Sequence, residues 1–534
     1  MKQVQQDQPC FDPVAYGSGP NDSVKEATEN AAITHHELVL GGKTIPYTAT
    51  AGHLVAIDAS SSQPAAKIFY VAFTADGADA NTRPVTFLYN GGPGSSAVWV
   101  LLGSFAPKRI KTNLPGFTPP APYAMEDNPD SLLDKTDLVF INPVGTGFSA
   151  AIAPFKNSDF WGVDLDAASL RQFIKRYLSA NSRWNSPKFL YGESYGTARS
   201  CVLAWMLHED GIDLNGIALQ SSILDYKQWL NPVGTLPTLA ADAFYHQTTN
   251  VTPPPPDLPS FVTAVTSFAQ DQYAPAIGVP PEPTDLTSFM KVVQTLSDYI
   301  GIPPVTLIST FGMNVASAAN SGLLFLVMLL QADGDSIGAY DGRVKAIDTG
   351  IAASICPLSG LNDATIAAVS GAYTAMWNEY LNKELQFTST SSFIGLNLQI
   401  KWNYSHIDPT GAEKGKLGDG TTVLYTAGDL AATMVVNTFM KVLALSGYYD
   451  SVTPFHQTML DLENMPLKDS TVKANLTHTF YESGHMIYLY GPSRTQMKAH
   501  LAKFYDNATA NLMPLAQLRA RGLSRRIARA RFDR

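Results

Sequence analysis

Charged residues and cysteines are both scarce in this chain. Only 16% of its 534 residues are Asp, Glu, Lys or Arg, against about a quarter in ordinary soluble domains. The net charge of −9 opposes binding to nucleic acid, so we expect no nucleic-acid partner. The three cysteines, Cys10, Cys201 and Cys356, are too few for a disulfide framework, although a Cys10–Cys356 bridge stays open for a secreted protein. Cys201 falls on a predicted helix, where we expect a packed core thiol.

Long apolar runs are also missing. The first sixteen residues are polar and lack the apolar region of a signal peptide. The longest apolar run, 322–330, is too short to cross a bilayer, so we expect a soluble protein without a membrane span. Low charge with many Ser, Thr, Ala and Pro residues favours an extracytoplasmic location, periplasmic or secreted, and a cytoplasmic one stays open.

What the chain does contain is a repeated pattern of short apolar runs that end in glycine-rich or polar loops. These predicted strands are residues 84–90, 136–142, 188–191, 216–220, 440–445 and 476–481. Segments with helical spacing lie among them, at 160–178, 197–207 and 495–507. Strands that alternate with helices predict a largely parallel sheet with its ligand loops at the C-terminal edge. Short apolar runs at 36–40 and 45–49, separated by Gly41-Gly42, predict an antiparallel hairpin at the start of this sheet.

The pattern stops after residue 225 and resumes near residue 396. Between these points the spacing is mostly helical and is interrupted by a proline run at 253–256. We interpret this stretch as a helical insertion that covers the sheet, with the apolar residues 323–330 in its core. The predicted segments are an N-terminal arm (1–34), an α/β core (35–225), a helical cap (226–395), a second core part (396–512) and a basic tail (513–534). The tail holds seven arginines and one acid, and we expect it to be flexible, with binding to an anionic surface as the alternative.

The sequence Gly-Glu-Ser-Tyr-Gly at 192–196 has the Gly-x-Ser-x-Gly form of a nucleophile elbow. A predicted strand precedes it and a predicted helix follows, which is the context that the motif requires. Its glycines allow the strained turn that exposes the hydroxyl of Ser194 above the sheet. A simple glycine-bracketed surface turn is the alternative that the rest of the chain must exclude.

Two further polar residues follow predicted strands at the same edge of the sheet. In chain order the three are Ser194, Asp450 and His485, which is the order of the α/β-hydrolase fold. A serine hydroxyl needs a neighbouring base, which His485 would supply while Asp450 holds the imidazole in the required tautomer. The backbone N–H groups of Tyr195 and of a glycine in the Gly91-Gly92 loop would stabilise an oxyanion. The fold class predicted is therefore an α/β-hydrolase, with a mostly parallel sheet flanked by helices and an inserted helical cap.

Five short motifs together resemble the serine carboxypeptidase family, peptidase family S10. They are NGGPGSS (90–96), PVGTGFS (143–149), GESYG (192–196), GYYD (447–450) and GHM (484–486). The resemblance covers about residues 36–507, and the wording around 184–189 and 448–450 resembles the bacterial branch. So does the lack of the family's usual disulfide cysteines, with Ser95 where many members carry Cys.

The resemblance implies release of C-terminal residues from peptides, with Gly92 and Tyr195 as the oxyanion donors. It also implies that Asn90 and Glu193 bind the terminal carboxylate of the substrate. A glutamate can do this only when protonated, because two carboxylates in contact repel each other, and this favours acidic pH. The family's second glutamate falls at about Ser104 here, where the hydroxyl could still donate a hydrogen bond, and a tryptophan before the Asn is replaced by Leu88. Since Glu193 then lacks an acidic partner, we expect its pKa to depend on burial and on the bound carboxylate.

The main prediction is thus a serine carboxypeptidase that acts through an acyl-enzyme on Ser194, without cofactor or metal. The alternative is an esterase, amidase or acyltransferase that uses the same residues on small acyl compounds. A third reading, a binding protein without activity, conflicts with the intact Ser194, Asp450 and His485. The preferred side chain and the oligomeric state stay open, because the cap segments that shape the pocket cannot be placed from sequence.

Overall fold

A computed structural model provides the fold and describes residues 6–229, 231–277, 286–316, 323–347, 363–411 and 423–510. The predicted basic tail and Cys356 lie outside these ranges. The strands are β1 (Cys10–Asp12), β2 (Ala31–Leu40), β3 (Lys43–Ile57), β4 (Pro64–Ala75), β5 (Val85–Tyr89), β6 (Lys108–Ile110), β7 (Met125–Asp127), β8 (Asp137–Ile141), β9 (Ala150–Ala151), β10 (Lys188–Glu193), β11 (Gly216–Gln220), β12 (Asp335–Ile337), β13 (Lys345–Ile347), β14 (Phe387–Ser389), β15 (Lys441–Gly447) and β16 (Leu476–Tyr481).

The α-helices range from single turns to five turns. They are α1 (Val98–Val100), α2 (Val163–Ala180), α3 (Tyr195–Glu209), α4 (Pro232–Tyr245), α5 (Leu258–Phe268), α6 (Ala274–Ala276), α7 (Leu286–Ile300), α8 (Pro304–Ser309), α9 (Leu323–Met328), α10 (Ala364–Glu379), α11 (Ala427–Val436), α12 (Phe455–Glu463), α13 (Ser470–Lys473) and α14 (Gly491–Thr509). None of these helices is both long enough and apolar enough to cross a membrane.

The central sheet has ten strands, nine of them in the order β16-β15-β11-β10-β5-β8-β4-β3-β2, with β9 paired to β4. Neighbours from β16 to β8 are parallel, whereas β4, β3 and β2 run antiparallel to their neighbours. This topology confirms the predicted α/β-hydrolase fold and the hairpin at residues 41–42. The sequence prediction for β3 was too short, because the strand continues to Ile57 through residues 51–56, which are all buried and do not alternate.

The two faces of the sheet are covered by different helices. Along β10 the side chains alternate, so that Phe189 and Tyr191 join one apolar core and Leu190 joins the other. The first core packs against α10 and α14, and the second against α2, α3 and α11. Cys201 on α3 is fully buried in the second core, as expected of a packed thiol.

The stretch predicted as a helical insertion contains α4 to α10 and three short strands, none of which joins the ten-stranded sheet among the described residues. It has an apolar core of its own, which includes Phe325, Leu326, Leu329 and Leu330 from the predicted apolar run. Asp363 starts α10 as its N-cap, where its carboxylate accepts the N–H of Thr365 at 2.9 Å. The boundaries that we assign to the insertion stay a prediction.

From residue 6 onward, the N-terminal arm is attached to the core. Its strand β1 pairs with β14, and Asp12 is fully buried. The Tyr16 hydroxyl donates to Asp12 Oδ2 at 2.6 Å, and Lys67 Nζ lies 3.8 Å from Asp12 Oδ1. Strand β14 ends at Ser389, and further along the same segment Gly395 and Leu396 line the cavity of the candidate site.

Candidate active site

The predicted strand, turn and helix of the elbow are all present. Strand β10 ends at Glu193, helix α3 begins at Tyr195, and Ser194 lies between them with φ 61° and ψ −130°. A Cβ at position 192 would lie only 2.1 Å from the carbonyl oxygen of Gly196, so glycine is required there. The backbone N–H of Ser194 donates to the carbonyl of Gln220 on β11 at 3.0 Å, which fixes the turn to the sheet.

The glycine loop after β5 packs directly on this turn. A Cβ on Gly91 would lie 2.4 Å from the backbone nitrogen of Tyr195. Gly92 has φ +104°, a backbone conformation that L side chains rarely adopt. As the first residue of α3, Tyr195 has an amide without an intrahelical acceptor. Gly92, Ser194 and Tyr195 all line the same cavity.

His485 and Asp450 form a buried pair behind the cavity. The Nδ1 atom of His485 lies 2.9 Å from Oδ2 of Asp450, and both side chains are almost fully buried. Asp450 also accepts the backbone N–H groups of Val452 and Thr453, each at 2.9 Å, and the Thr453 hydroxyl at 2.6 Å. Burial lowers the pKa of His485, but the Asp450 carboxylate outweighs this and leaves the pKa above its ordinary value.

Ser194 and His485 meet at one cavity of about 370 Å³. No hydrogen bond joins Ser194 Oγ to His485 Nε2 among the described contacts, and catalytic hydrogen bonds often tighten only when substrate binds. The other lining residues come from the loops at the strand ends, from the insertion and from the segment after it. They are Asn90, Gly91, Gly92, Ser95, Trp99, Glu193, Tyr195, Ile223, Tyr226, Trp229, Tyr340, Ile366, Ser370, Thr374, Gly395, Leu396, Tyr404, Val452, Thr453 and Met486.

Glu193 borders the cavity but is 97% buried. Its Oε1 atom accepts an N–H from Asn90 Nδ2 at 2.9 Å, and its Oε2 atom accepts one from Gln220 Nε2 at 3.2 Å. Burial raises the pKa of Glu193 to about 7, against opposing effects of His485, Tyr488 and Asn90. Burial is the largest cause of this shift, as expected, and the Asp450 carboxylate adds to it, whereas the expected influence of a bound substrate carboxylate stays a prediction.

Ser104 does not replace the missing acid, contrary to the expectation that its hydroxyl could donate to substrate. It is fully buried in the helical turn 101–105, where its hydroxyl donates to the carbonyl of Val100. Ser104 does not line the cavity, and Leu88 is buried within β5. Trp99 and the α10 residues Ile366, Ser370 and Thr374 line the cavity instead.

The sequence analysis missed several residues that hold the site together. Arg199 on α3 is fully buried, donating to Asp166 Oδ2 at 2.5 Å and to the carbonyl of Asn90 at 2.7 Å. Its guanidinium lies between the rings of Tyr89 and Tyr195, 5.3 and 5.1 Å from their centroids. A charged residue inside an otherwise apolar helix was the available signal.

Aromatic side chains form two walls of the cavity. Trp99 packs on Tyr373 with ring centroids 4.4 Å apart, and Tyr226 contacts Trp229 at 5.9 Å and Tyr404 at 5.6 Å. No Lys or Arg lines the cavity among the residues that the structure describes. Within the same residues, no group of His, Cys, Asp or Glu side chains is arranged to hold a metal ion.

Solved structures with a similar fold are distant in sequence. The Kex1 prohormone-processing carboxypeptidase from Saccharomyces cerevisiae is 14% identical, with 86% of this chain and 91% of that chain covered and a TM-score of 0.47. A proline iminopeptidase from Mycobacterium smegmatis is 12% identical, with 86% and 100% covered and a TM-score of 0.35. A monoglyceride lipase from Saccharomyces cerevisiae is 10% identical, with 83% and 92% covered and a TM-score of 0.33.

A family comparison is more specific than the fold. No curated protein sequence matches the chain. The family model described as serine carboxypeptidase, Peptidase_S10, matches residues 42–249, which include the glycine loop and the elbow. The resemblance predicted from the motifs is thereby confirmed, and residues 42–249 match the serine carboxypeptidase family, peptidase family S10.

Proposed function

We propose that the protein is a serine carboxypeptidase with Ser194 as its nucleophile. The observation that carries this proposal is the arrangement of one cavity, in which the elbow serine faces a histidine that is bound to a buried aspartate. The Peptidase_S10 match over residues 42–249 supports a peptidase role. A peptide is therefore the substrate class.

In the proposed reaction, His485 Nε2 removes the hydroxyl proton of Ser194 as Oγ attacks the scissile carbonyl carbon. The N–H groups of Gly92 and Tyr195 stabilise the oxyanion, and Asp450 stabilises the imidazolium of His485. His485 then gives the proton to the departing amine, which leaves as a free amino acid. Water, deprotonated by the same histidine, hydrolyses the acyl-enzyme and restores Ser194.

We assign the preference for cleavage at the C-terminus of a peptide to Asn90 and Glu193. The Asn90 carboxamide is oriented by the backbone N–H of Val100, which donates to Asn90 Oδ1 at 3.0 Å. A protonated Glu193 can donate its O–H to the substrate carboxylate, whereas an ionised one repels it. Because burial raises the pKa of Glu193 to about 7, peptide hydrolysis is expected to be best on the acidic side of neutrality.

The walls of the cavity favour an uncharged, apolar or aromatic substrate side chain. Trp99, Tyr226, Trp229 and Tyr404 present large apolar surfaces, and stacking on aromatic rings contributes about 0.5–1.5 kcal/mol beyond burial of area. Without a lining Lys or Arg, an acidic side chain would be buried unpaired in this cavity.

The test is release of the C-terminal residue, as the free amino acid or as its amide, from N-acyl dipeptides that differ only in a free or amidated C-terminus. We expect cleavage of the free acid to be at least tenfold more efficient, and loss of both activities in Ser194→Ala. A fluorophosphonate probe should label Ser194. Full activity of Ser194→Ala would contradict the nucleophile assignment, and equal cleavage of acid and amide would contradict the carboxypeptidase assignment alone.

A second candidate, an esterase, amidase or acyltransferase acting on small acyl compounds, is favoured by one observation. The carboxylate end of the cavity has a single acid, because the hydroxyl of Ser104 is bonded to its own helix. This candidate predicts that esters without a carboxylate are cleaved faster than dipeptides, and that the Glu193→Gln variant cleaves both at the wild-type rate.

A further inference from the structure

Gln220, at the C-terminal end of β11, connects two parts of the site that lie on different strands. Its side chain is fully buried. The Nε2 atom donates to Oε2 of Glu193 at 3.2 Å and to the carbonyl oxygen of His485 at 3.0 Å. On its other side, the hydroxyl of Tyr191 donates to Oε1 of Gln220 at 2.5 Å.

The orientation of this carboxamide follows from its partners. The carbonyl oxygen of His485 can only accept a hydrogen bond, so the NH₂ group of Gln220 must face it. The two hydrogens of that group are then fully used, one on His485 and one on Glu193. With Oε1 bound to Tyr191, the buried carboxamide has a partner for each of its polar atoms.

The backbone around Gln220 reaches the third part of the site. Its carbonyl accepts the N–H of Ser194 at 3.0 Å. The next residue, Ser221, donates its hydroxyl to the same His485 carbonyl at 2.7 Å and has φ 51°. Between them, Gln220 and Ser221 therefore contact the backbones of Ser194 and His485, the proposed nucleophile and base. Of these two residues, Gln220 also contacts the carboxyl group of Glu193.

We propose that Gln220 is a positioning residue that joins the carboxylate-binding Glu193 to the segment that carries His485. By holding both groups with one carboxamide, it supports substrate binding at one end of the cavity and proton transfer at the other. The part of this inference that concerns Glu193 rests on the proposed function. The part that concerns the position of His485 applies to any reaction that uses Ser194 as the nucleophile.

Two variants separate this role from a general loss of packing. Gln220→Met keeps the length of the side chain and removes both donors. Gln220→Glu keeps the shape and supplies one O–H donor only while it is protonated. Glu193, which Gln220 contacts, interacts electrostatically with titratable groups of the elements around it, namely Tyr191 on β10, Asp450 after β15, Tyr340 and Tyr373 from the insertion, and His485 and Tyr488 after β16.

For Gln220→Met we expect kcat on a small acyl ester to fall about tenfold, because the His485 carbonyl loses one of the two side-chain donors that hold it. KM for a free-acid dipeptide should rise by a similar factor. Thr86→Val is the matched control, because it removes buried hydroxyl bonds to Thr136 and Tyr505 within the sheet and away from the cavity. Its kcat and KM should stay within twofold of wild type.

The pH profile of ester kcat for Gln220→Glu is the decisive measurement, and it can be made even if Gln220→Met does not fold. Burial and the neighbouring Glu193 keep the new carboxyl protonated at pH 5, where its ester kcat should be within threefold of wild type. By pH 8 the new carboxyl group is ionised and no longer donates to the His485 carbonyl. The ester kcat of the variant, divided by that of wild type, should therefore fall at least tenfold between pH 5 and pH 8. A ratio that does not change with pH, or a folded Gln220→Met with wild-type kcat and KM, would overturn the proposal.

The ester also separates this inference from the proposed function. If wild type does not release amino acids from dipeptides, the carboxypeptidase assignment fails. The pH-dependent ester ratio of Gln220→Glu would still report on the link to His485.

Discussion

Asp450 and Glu193 are two buried carboxyl groups of one site, and their hydrogen-bond partners are of different kinds. Asp450 accepts from two backbone N–H groups, a threonine hydroxyl and an imidazole. Among the described contacts, Glu193 accepts hydrogen bonds from the two neutral carboxamides of Asn90 and Gln220, lies beside the Tyr488 hydroxyl, and has one face toward the cavity. The donors around Asp450 stabilise a negative charge in the protein interior. The donors around Glu193 leave its carboxyl group protonated near neutral pH, so that it can donate a hydrogen bond to a ligand.

The comparison shows that burial alone does not decide what a carboxyl group does. Donors that surround Asp450 fix the tautomer and orientation of His485, which concerns the chemical step. The few donors around Glu193 allow burial to raise its pKa, which concerns binding. Changes at Asp450 should therefore appear in kcat, and changes at Glu193 should appear in KM.

The largest effect is expected from Asp450→Asn. The amide keeps the size of the side chain but no longer holds His485 in the tautomer that accepts the serine proton. We expect kcat to fall by about 10⁴, with KM within threefold of wild type. Steady-state kinetics on one ester measures this, and a fall of less than tenfold would remove Asp450 from the proposed mechanism.

The next effect concerns stability and Glu193. A pKa that rises from 4.5 to about 7 on folding contributes stability that is fully present below pH 4.5 and is lost as pH rises through 7. The loss should be about 3 kcal/mol in the free energy of unfolding, and Glu193→Gln should not show it. Urea unfolding of both proteins between pH 4 and 8 provides the measurement, and parallel profiles would contradict the raised pKa.

A smaller effect is expected in substrate binding. As pH rises through about 7, Glu193 ionises and repels the substrate carboxylate, so KM for a free-acid dipeptide should increase at least tenfold by pH 8. In Glu193→Gln the amide can still donate a hydrogen bond, and KM should be nearly constant with pH. The amidated dipeptide is the control, since its KM should not respond to either change. An unchanged KM profile in the variant would favour the esterase-like candidate.

The smallest effect is expected from Thr453→Val, which removes the hydroxyl that donates to Asp450 at 2.6 Å. His485 keeps its own bond to Asp450, so kcat should fall only about fivefold, in line with about 1 kcal/mol for one hydrogen bond. KM and its pH dependence should not change. A rise of KM without loss of kcat would indicate that Thr453 acts in substrate binding, as proposed for Glu193, and not in the chemical step.

The predicted strands and the elbow could be found from sequence because their signals are local. The apolar run before Ser194 and the helical spacing after it lie within about twenty residues, and strand 476–481 was predicted with its observed ends. Gly192 and Gly91 were recognisable from the motifs that contain them, and the structure shows why glycine is needed there, since an added Cβ would lie 2.1 Å from the Gly196 carbonyl oxygen and 2.4 Å from the Tyr195 nitrogen, respectively. The order Ser194, Asp450, His485 then followed from the strand ends.

Residues that act through distant partners were not predictable in this way. Gln220 ends an ordinary apolar strand, and its role depends on neighbours 27 and 265 residues away in the chain. Ser104 occupies a position that suggested a substrate contact, but local helix geometry directs its hydroxyl to Val100 instead.

The sequence by itself determined the fold class, the resemblance of residues 42–249 to the serine carboxypeptidase family and the three residues proposed for the chemical step, because each depends on short motifs at strand ends. The tertiary structure decided the protonation of Glu193, the composition of the cavity and the link through Gln220. These properties depend on burial and on side-chain distances between separate strands, and such distances exist only once the parallel sheet places β10, β11 and the end of β16 together.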